Sequence, residues 1–185
     1  VIGSGSMGTG DMRTFMGKDE VQMLAACDVD KSHRDRAKEI MDVHYGTKDA
    51  NTYSDYREFL SQENLDAVIL ALPDQWHGII GVAVANAGLD IYGQKPLART
   101  IWEGRQIVEA VKKNNVIWQT GSWQRSVANF HQGAELVANG RIGKIHRCEV
   151  GLPNGNPNNA VHSVQPVPEG LDWDMWLGPA PAVPY

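Results

Sequence analysis

Three glycines near the start of the chain have the spacing of a phosphate-binding loop. Gly3, Gly5 and Gly8 form the pattern Gly-x-Gly-x-x-Gly, with Ser6 and Met7 between the last two glycines. Glycines spaced in this way allow a sharp turn, bring a pyrophosphate against the backbone and let a helix pack closely on its strand. The amides at the start of that helix then face the phosphates. By itself, the pattern also fits a glycine-rich surface turn.

An acidic residue further along the chain makes the prediction more specific. Asp28 follows Gly8 by 20 residues and ends the next predicted strand. A carboxylate at this position accepts hydrogen bonds from an adenosine ribose and disfavours a 2′-phosphate. The glycine loop and the acid together predict a dinucleotide site with NAD as the cofactor and NADP as the less favoured one. Three basic residues close to Asp28 in sequence would weaken this preference for NAD over NADP, namely Lys31, His33 and Arg34.

Other polar residues directly follow predicted strands, so they fall at the carboxyl edge of the sheet, where open α/β sheets bind ligands. We therefore expect a cofactor and substrate site that includes Leu72, Pro73, His77, Gln94, Lys95, Pro96, Trp123 and Arg125. Three of them also have purely structural explanations. His77 would cap a helix, Trp123 would pack under a loop, and Arg125 would be a solvated residue in a first helical turn. Taken singly, only Lys95 favours the functional interpretation.

Alternating strands and helices must position these residues. Buried strands are predicted at 21–28, 66–72, 89–92 and 116–120, after a first strand of which only Val1 and Ile2 are present. Helices are predicted at about 7–17, at a capping box of Ser32 and Asp35, at about 77–88, from Thr100 and Glu103, and from Val127 to Gly140. Their apolar spacing predicts three core faces, namely Ala37, Ile40 and Met41; Ile101, Ile107, Val108 and Val111; and Val127, Phe130, Ala134, Val137 and Ala138. The alternation predicts an α/β fold with a doubly wound parallel sheet, the Rossmann arrangement.

The composition changes near residue 145. Residues 145–150 alternate between apolar and polar, which predicts the start of a half-exposed sheet, and a loop rich in Pro, Asn and Gly follows. We expect two domains, over residues 1–144 and 145–185. The short first strand and the lack of a closing element after Pro181 lead us to expect a fragment cut from a longer protein at both ends.

Composition and charge exclude several classes of protein. The 185 residues carry 17 Lys and Arg against 22 Asp and Glu, a net charge of −5, without a block of like charge. Binding to nucleic acid or to an anionic membrane surface is therefore not expected, and the apolar stretches end well before the ~20 residues that a bilayer requires. Cys27 and Cys148 lie in apolar runs, which predicts buried free thiols and no metal site. We expect a soluble cytoplasmic protein, although a leader before Val1 would allow export.

The motifs together resemble those of the Gfo/Idh/MocA family, named after glucose-fructose oxidoreductase and inositol 2-dehydrogenase. The resemblance rests on the glycine loop, on Asp28, on Tyr92-Gly93-Gln94-Lys95-Pro96-Leu97, and on Arg141-Ile142-Gly143-Lys144 before a strand. Residues 170–181 look like a loop of a large bacterial branch of the family, so the match spans essentially the whole chain. The resemblance implies a nucleotide domain and then an α+β substrate domain with an open, largely antiparallel sheet, which often forms the interface of a homo-oligomer.

The resemblance also implies an activity and residue roles. It implies an NAD(P)-dependent dehydrogenase that transfers a hydride to or from a hydroxyl carbon of a sugar, polyol or related small molecule. Lys95 matches the lysine that contacts the reacting hydroxyl and the nicotinamide ribose, and Pro96, a candidate cis proline, fixes its approach. Gln94 departs from the usual glutamate, which removes a charge. The family's downstream Asp/His pair would fall after Tyr185, so we expect residues 1–185 alone to be inactive.

Two other functions fit the same residues. One is a non-redox family member that keeps NAD tightly bound and uses reversible oxidation for elimination or glycoside cleavage. The other is a catalytically silent dinucleotide-binding protein, which the change at Gln94 and the absent Asp/His pair would permit. Net cofactor reduction by a free sugar would argue against the first, and a downstream Asp/His pair would argue against the second.

Overall fold

Strands and helices alternate along the chain. The structure is a computed structural model that describes residues 1–62, 64–152 and 163–185. Within these ranges the strands are β1 (Ala25–Cys27), β2 (Asn51–Tyr53), β3 (Ala67–Leu70), β4 (Asp90–Gly93) and β5 (Trp118–Thr120). The helices there are α1 (Ser6–Met16), α2 (Lys31–Tyr45), α3 (Tyr56–Gln62), α4 (Asp74–Asn86), α5 (Ile101–Asn114), α6 (Ala128–Ala138) and α7 (Trp173–Leu177), with a 3₁₀ helix at Trp123–Ser126.

The first residues of the chain join the strands into one parallel sheet. β1 pairs with β2, and β4 pairs with β3 and β5, all in parallel. Ile2 forms parallel bridges to Cys27 and Leu70, and its N–H donates to Ile69 O at 2.8 Å. The order across the sheet is therefore β2, β1, Val1–Gly3, β3, β4, β5. This order confirms the predicted doubly wound parallel sheet.

The two faces of the sheet bury separate sets of apolar side chains. On one face, α3, α4 and α5 contribute Phe59, Val84 and Ala110 to the core. On the other face, α1 and α2 contribute Met12 and Met41. Successive residues of β1 alternate between the two clusters, as expected for a strand that is covered on both sides.

The predicted core faces of α2 and α5 are largely correct, with one exception. Ala37 and Met41 are fully buried, and Ile107 is 1% exposed. Ile101, however, is 87% exposed, so its predicted place in the core is wrong. It lies about 240° around the helix axis from Ile107, which turns it away from the sheet.

The helix starts show which capping predictions hold. α5 begins at the predicted capping box, because Glu103 N–H donates to Thr100 Oγ1 at 3.2 Å and Thr100 N–H donates to Glu103 Oε2 at 3.0 Å. The box predicted for α2 is wrong. Asp30 caps this helix instead, since its Oδ1 accepts from Ser32 N–H at 2.8 Å, and Asp35 pairs with a lysine on the helix surface.

Among the described residues, 122–152 and 163–165 form a compact unit of their own. No residue of α6 is buried, so the predicted core face with Phe130 and Val137 is not observed. Residues 145–150 form no strand, and Cys148 is exposed, whereas Cys27 is buried as predicted. A strand needs a pairing partner, and none of residues 1–62, 64–152 and 163–185 pairs with this segment. The predicted Pro/Asn/Gly loop lies mostly at 153–162, outside the described residues.

Residues 166–185 belong to the same compact unit as residues 1–121. The segment carries α7, whose N-cap Asp172 accepts from Met175 N–H at 2.9 Å and whose Leu177 is 7% exposed. The domain boundary at 144/145 stays a prediction. None of the helices in the described ranges is both long enough and apolar enough to cross a membrane.

Candidate functional site

The glycine loop connects the start of the sheet to α1 and leaves one glycine open. Gly3 has a φ of +84°, and a Cβ there would lie 2.2 Å from Ala71 O. A Cβ on Gly8 would lie 1.8 Å from Gly3 O, so this glycine permits the close packing of α1 on the strand. At Gly5 the nearest atom to a Cβ would be His33 Cε1, at 3.9 Å. Gly5 therefore faces space in which a pyrophosphate can approach the backbone.

The first turn of α1 supplies amides to the same space. Its N-cap residue is Gly5, and neither a side-chain cap nor an acidic residue is present in the first turn. Ser6 and Met7 line the adjacent cavity. Uncapped amides at the positive end of a helix dipole bind anions. Thr9 Oγ1 donates to Ser4 O at 2.8 Å and so fixes the loop at its base.

Asp28 lies at the end of β1, beside the glycine loop. Its Oδ2 accepts from Ser4 N–H at 2.7 Å, and its Oδ1 accepts from Asp30 N–H at 3.0 Å. His33 Nδ1 lies 3.4 Å from Oδ2, and 10% of the Asp28 side chain is exposed. The carboxylate is therefore held in one position. Oδ2 also accepts from the Ser4 hydroxyl at 3.3 Å, whereas Oδ1, with two lone pairs, can also accept from a ribose hydroxyl.

The basic residues after Asp28 have partners of their own. Lys31 Nζ pairs with Asp35 Oδ2 at 2.5 Å, and Arg34 donates to the backbone carbonyl of Asp28. Asp30 adds a second carboxylate to the cavity wall. Burial raises the pKa of Asp30, but hydrogen bonds from the start of α2 outweigh it and hold this pKa below its ordinary value. The wall is anionic here, which disfavours a 2′-phosphate.

One cavity joins the glycine loop, the end of β1 and the loop after β3. Its volume is about 520 Å³, which is within the range of ligand pockets. The predicted site residues that line it are Gly3, Gly5, Ser6, Met7, Gly8, Asp28, Leu72 and Pro73. Among the described residues, its lining includes neither His77 nor residues 94–96.

His77 is fully buried in α4 and holds the loop that lines the cavity. Its Nε2 lies 3.0 Å from Leu72 O, and because a carbonyl only accepts, Nε2–H is the donor. Burial lowers the pKa of His77 more than this bond raises it, so the imidazole is neutral at physiological pH. The predicted helix cap is wrong, since the N-cap residue of α4 is Pro73. His77 instead positions Leu72.

Gln94 follows β4 and forms a buried hydrogen bond with α1. Its Nε2 donates to Asp11 Oδ2 at 2.7 Å, and the residue is 3% exposed. Burial raises the pKa of Asp11 more than this bond lowers it. An amide suits the position because a glutamate would bring a second carboxylate against Asp11. Asp11 therefore places a carboxylate next to residue 94.

Lys95 and Pro96 lie at the same edge of the sheet as the cavity. The Lys95–Pro96 peptide bond is cis, and Lys95 is exposed while Gln94 is buried. Leu70 at the end of β3 pairs with Gly93 at the end of β4. Parallel strands end at a common edge of the sheet. Lys95, which follows β4, therefore lies at the same edge as the cavity-lining loop that follows β3.

Trp123 and Arg125 belong to the other compact unit. Both lie in its 3₁₀ helix at Trp123–Ser126 and are exposed, Trp123 to 50%. Packing of Trp123 under a loop is therefore wrong, and Arg125 is solvated. A role for either residue at the site stays a prediction.

Two groups of residues at the site were not predicted from the sequence. One is Asp11, whose partner Gln94 is 83 positions away along the chain. The other is a set of cavity-lining residues near the end of the chain: Leu171, Trp173, Met175, Trp176 and Tyr185. The clustering of aromatic residues after residue 172 was the available signal for the second group.

A doubly wound parallel sheet with this glycine loop and an acid at the end of the next strand defines a dinucleotide-binding domain. Residues 1–122 match the Gfo/Idh/MocA model, which describes an oxidoreductase family with an NAD-binding Rossmann fold. The chain therefore belongs to the Gfo/Idh/MocA family, as its motifs predicted, and NAD is the cofactor of the family's fold.

Several relatives of this chain are named as dehydrogenases. Myo-inositol 2-dehydrogenase of Thermotoga maritima is 31% identical over 146 residues, which are 79% of this chain and 42% of that enzyme. D-xylose 1-dehydrogenase (NADP(+)) of Hypocrea jecorina is 28% identical over 71% of this chain and 34% of its own length. The crystal structure of myo-inositol 2-dehydrogenase from Lactobacillus plantarum superposes with a TM-score of 0.69 at 30% identity, covering 78% of this chain and 41% of the other. This chain thus spans about two-fifths or less of the length of these relatives.

Proposed function

We propose that this chain provides the nucleotide-binding part of an NAD-dependent dehydrogenase that transfers a hydride between the nicotinamide and a hydroxyl carbon of a polyol or sugar. The observation that carries the proposal is the shared position of open Gly5, the uncapped start of α1 and Asp28 around one cavity. The names of the inositol and xylose dehydrogenases support the substrate class.

The residues present fit NAD at three points. Gly5 leaves room for a pyrophosphate, the first turn of α1 offers amides to it, and Asp28 is placed to accept from ribose hydroxyls. When bound, NAD supplies the hydride acceptor. Lys95 follows β4 at the same edge, where its ammonium would hold and polarise the substrate oxygen. An ammonium only donates hydrogen bonds, so a different group must accept the hydroxyl proton.

The proposal favours NAD over NADP. Asp28 and Asp30 both line the cavity, and Lys31 and Arg34 are directed to Asp35 and to a backbone carbonyl. The charged groups placed next to a 2′-phosphate would therefore be these two carboxylates, and not the side chains of Lys31 and Arg34. Like charges brought together cost several kcal/mol.

Substrate oxidation by the complete protein tests the proposed activity. Purified protein is incubated with NAD and a panel of polyols and sugars that includes myo-inositol and D-xylose, and NADH absorbance is followed. We expect net NADH formation with at least one of them. Glycoside cleavage without net NADH would instead identify the non-redox alternative, and NAD binding without either reaction would identify a silent binding protein.

Three further expectations remain proposals. We propose the division into domains at 144/145, which limited proteolysis would test. We also propose a homo-oligomer, which light scattering would test.

We propose a cytoplasmic location as well. The free thiols of Cys27 and Cys148 favour it, since a reducing compartment keeps thiols free. Cell fractionation would test it.

A further inference from the structure

The segment around α7 is attached to the loop that carries Asp28. Lys31 N–H donates to Gly170 O at 2.9 Å, and Asp172 N–H donates to Val29 O at 3.1 Å. Between these two bonds, Leu171 forms an antiparallel bridge with Asp30. The segment therefore runs alongside the residues that directly follow Asp28.

The same segment is attached to the opposite side of the cavity. Trp76 Nε1–H donates to Met175 O at 3.0 Å, and Gln75 Nε2–H donates to Trp176 O at 3.1 Å. Both donors lie in the first turn of α4, next to cavity-lining Pro73. Four hydrogen bonds thus tie residues 170–176 to the two parts of the chain that border the nucleotide cavity, the residues after Asp28 and the first turn of α4.

The segment contributes an aromatic surface to this cavity. The Trp173 and Trp176 rings are stacked at 4.9 Å with an angle of 13° between their planes, and Tyr185 meets Trp173 edge-on at 5.1 Å. Trp173 Nε1–H donates to Val183 O at 2.8 Å, which fixes its orientation. All three aromatic residues line the cavity together with Asp28 and Gly5.

We propose that the Trp173–Trp176 pair forms a wall of the nucleotide cavity and contacts the adenosine half of the dinucleotide. The proposal rests on the proposed function, because it takes the cavity to be the dinucleotide site. Adenosine is favoured over a substrate ring as the occupant, since the segment borders the carboxylates placed for the ribose and not the lysine after β4. Loss of one stacked aromatic side chain from a base weakens binding about tenfold or more.

The affinity of the complete protein for ADP-ribose tests this wall without involving the nicotinamide. Calorimetry compares wild type with Trp173→Leu, Trp176→Leu and the control Trp102→Leu, whose indole is 69% exposed on α5. We expect about tenfold or greater losses for the first two variants and none for the control. Trp173→Phe and Trp176→Phe keep an aromatic ring and should retain most of the affinity.

The outcomes separate this inference from the proposed function. If wild type binds neither NADH nor ADP-ribose, both fail. If wild type binds ADP-ribose and both Leu variants bind it equally well, only the wall is overturned. It is also overturned if the variants raise KM for a polyol and leave ADP-ribose affinity unchanged. Should the Leu variants fail to fold, hydrogen exchange in wild type decides, because ADP-ribose must slow exchange in residues 170–177 and unchanged exchange would refute the wall.

Discussion

Asp28 is the single residue expected to set the choice of cofactor. Replacing it with serine removes the charge that opposes a 2′-phosphate and keeps a small hydroxyl group at the end of β1. We expect NADH to bind wild type about tenfold or more tightly than NADPH, because like-charge contact costs several kcal/mol. Asp28→Ser should reduce this ratio, whereas the control Asp19→Ser, at an exposed loop position, should not. Calorimetry measures both affinities, and equal affinities in wild type would refute the assignment.

Lys95 is expected to act on the substrate and not to hold the cofactor. Lys95→Met keeps the length of the side chain but removes the hydrogen-bond donor. Turnover should fall by about 10²–10³-fold, the usual effect of losing one donor that polarises a reacting oxygen, while NAD affinity stays within a small factor of wild type. Steady-state rates and calorimetry on the complete protein separate the two effects. Lys112→Met, on the exposed end of α5, is the control, and near-wild-type turnover of the Lys95 variant would exclude the catalytic role.

The pair formed by Asp11 and Gln94 predicts a pH-dependent loss of stability. Gln94→Glu places two carboxylates within hydrogen-bond distance, so the pair retains a proton and one of its pKa values rises. The unfolded chain ionises near pH ~4 while the folded variant does not, so its stability relative to wild type falls as pH rises above that value. Denaturant unfolding should show a larger deficit at about pH 8 than at about pH 5.

A double variant is the control for this prediction. Asp11→Asn combined with Gln94→Glu restores one amide and one carboxylate with their positions exchanged. It should recover most of the lost stability and remove its pH dependence. A deficit of the single variant that is equal at both pH values would mean that the two side chains do not interact as the structure describes.

At the level of elements, the contact between α1 and the glycine loop depends on the small size of Gly8. In Gly8→Ala the new Cβ would lie 1.8 Å from Gly3 O, so the helix must move away from the strand. We expect a loss of about 1–3 kcal/mol in the free energy of unfolding, together with weaker NADH binding. Denaturant melts and calorimetry measure the two effects.

Gly10 in the same helix provides the matched control. Apart from its chain neighbours and the backbone of α1, no atom of the described residues lies within 4 Å of a Cβ at this position, so Gly10→Ala adds helix propensity without a clash. It should stabilise the protein by about 0.5–1 kcal/mol. If both alanine variants change stability by the same amount, the close approach at Gly8 is not what positions α1.

Elements with strong local signals were predictable from the sequence. The capping box of Thr100 and Glu103 is complete within four residues, and it starts α5 as expected. β2 was missed because its three residues, Asn51–Tyr53, contain no apolar run. α3 and α7 were missed because they span only seven and five residues, too few for a helical period to be recognised. The prediction of a strand at 145–150 was wrong although its local signal, the alternation of apolar and polar residues, was clear. Such alternation produces a strand only where another strand is available for pairing.

At the level of the whole molecule, the part of the site built from one βαβ unit could be read from the sequence. A single helix separates the glycine loop from the strand that ends at Asp28, so their spacing along the chain is enough to predict that they lie side by side. The contact of Asp11 with Gln94 and the aromatic segment at 170–176 depend on tertiary packing over roughly 80 and 100 positions. Spacing along the chain carries no information about contacts of this kind. His77 shows the same limit, because neither its burial nor its hydrogen bond to Leu72 O could be predicted from spacing along the chain.

Thermal unfolding with and without cofactor tests most directly the central claim that the cavity over the glycine loop binds NAD. A ligand that binds only the folded state stabilises it by about 2.7 kcal/mol at a concentration of 100 times its Kd. We predict that NADH raises the Tm of the complete protein accordingly, and that NADPH at the same concentration raises it less. An unchanged Tm with NADH at every concentration, or equal shifts with NADH and NADPH, would contradict the account.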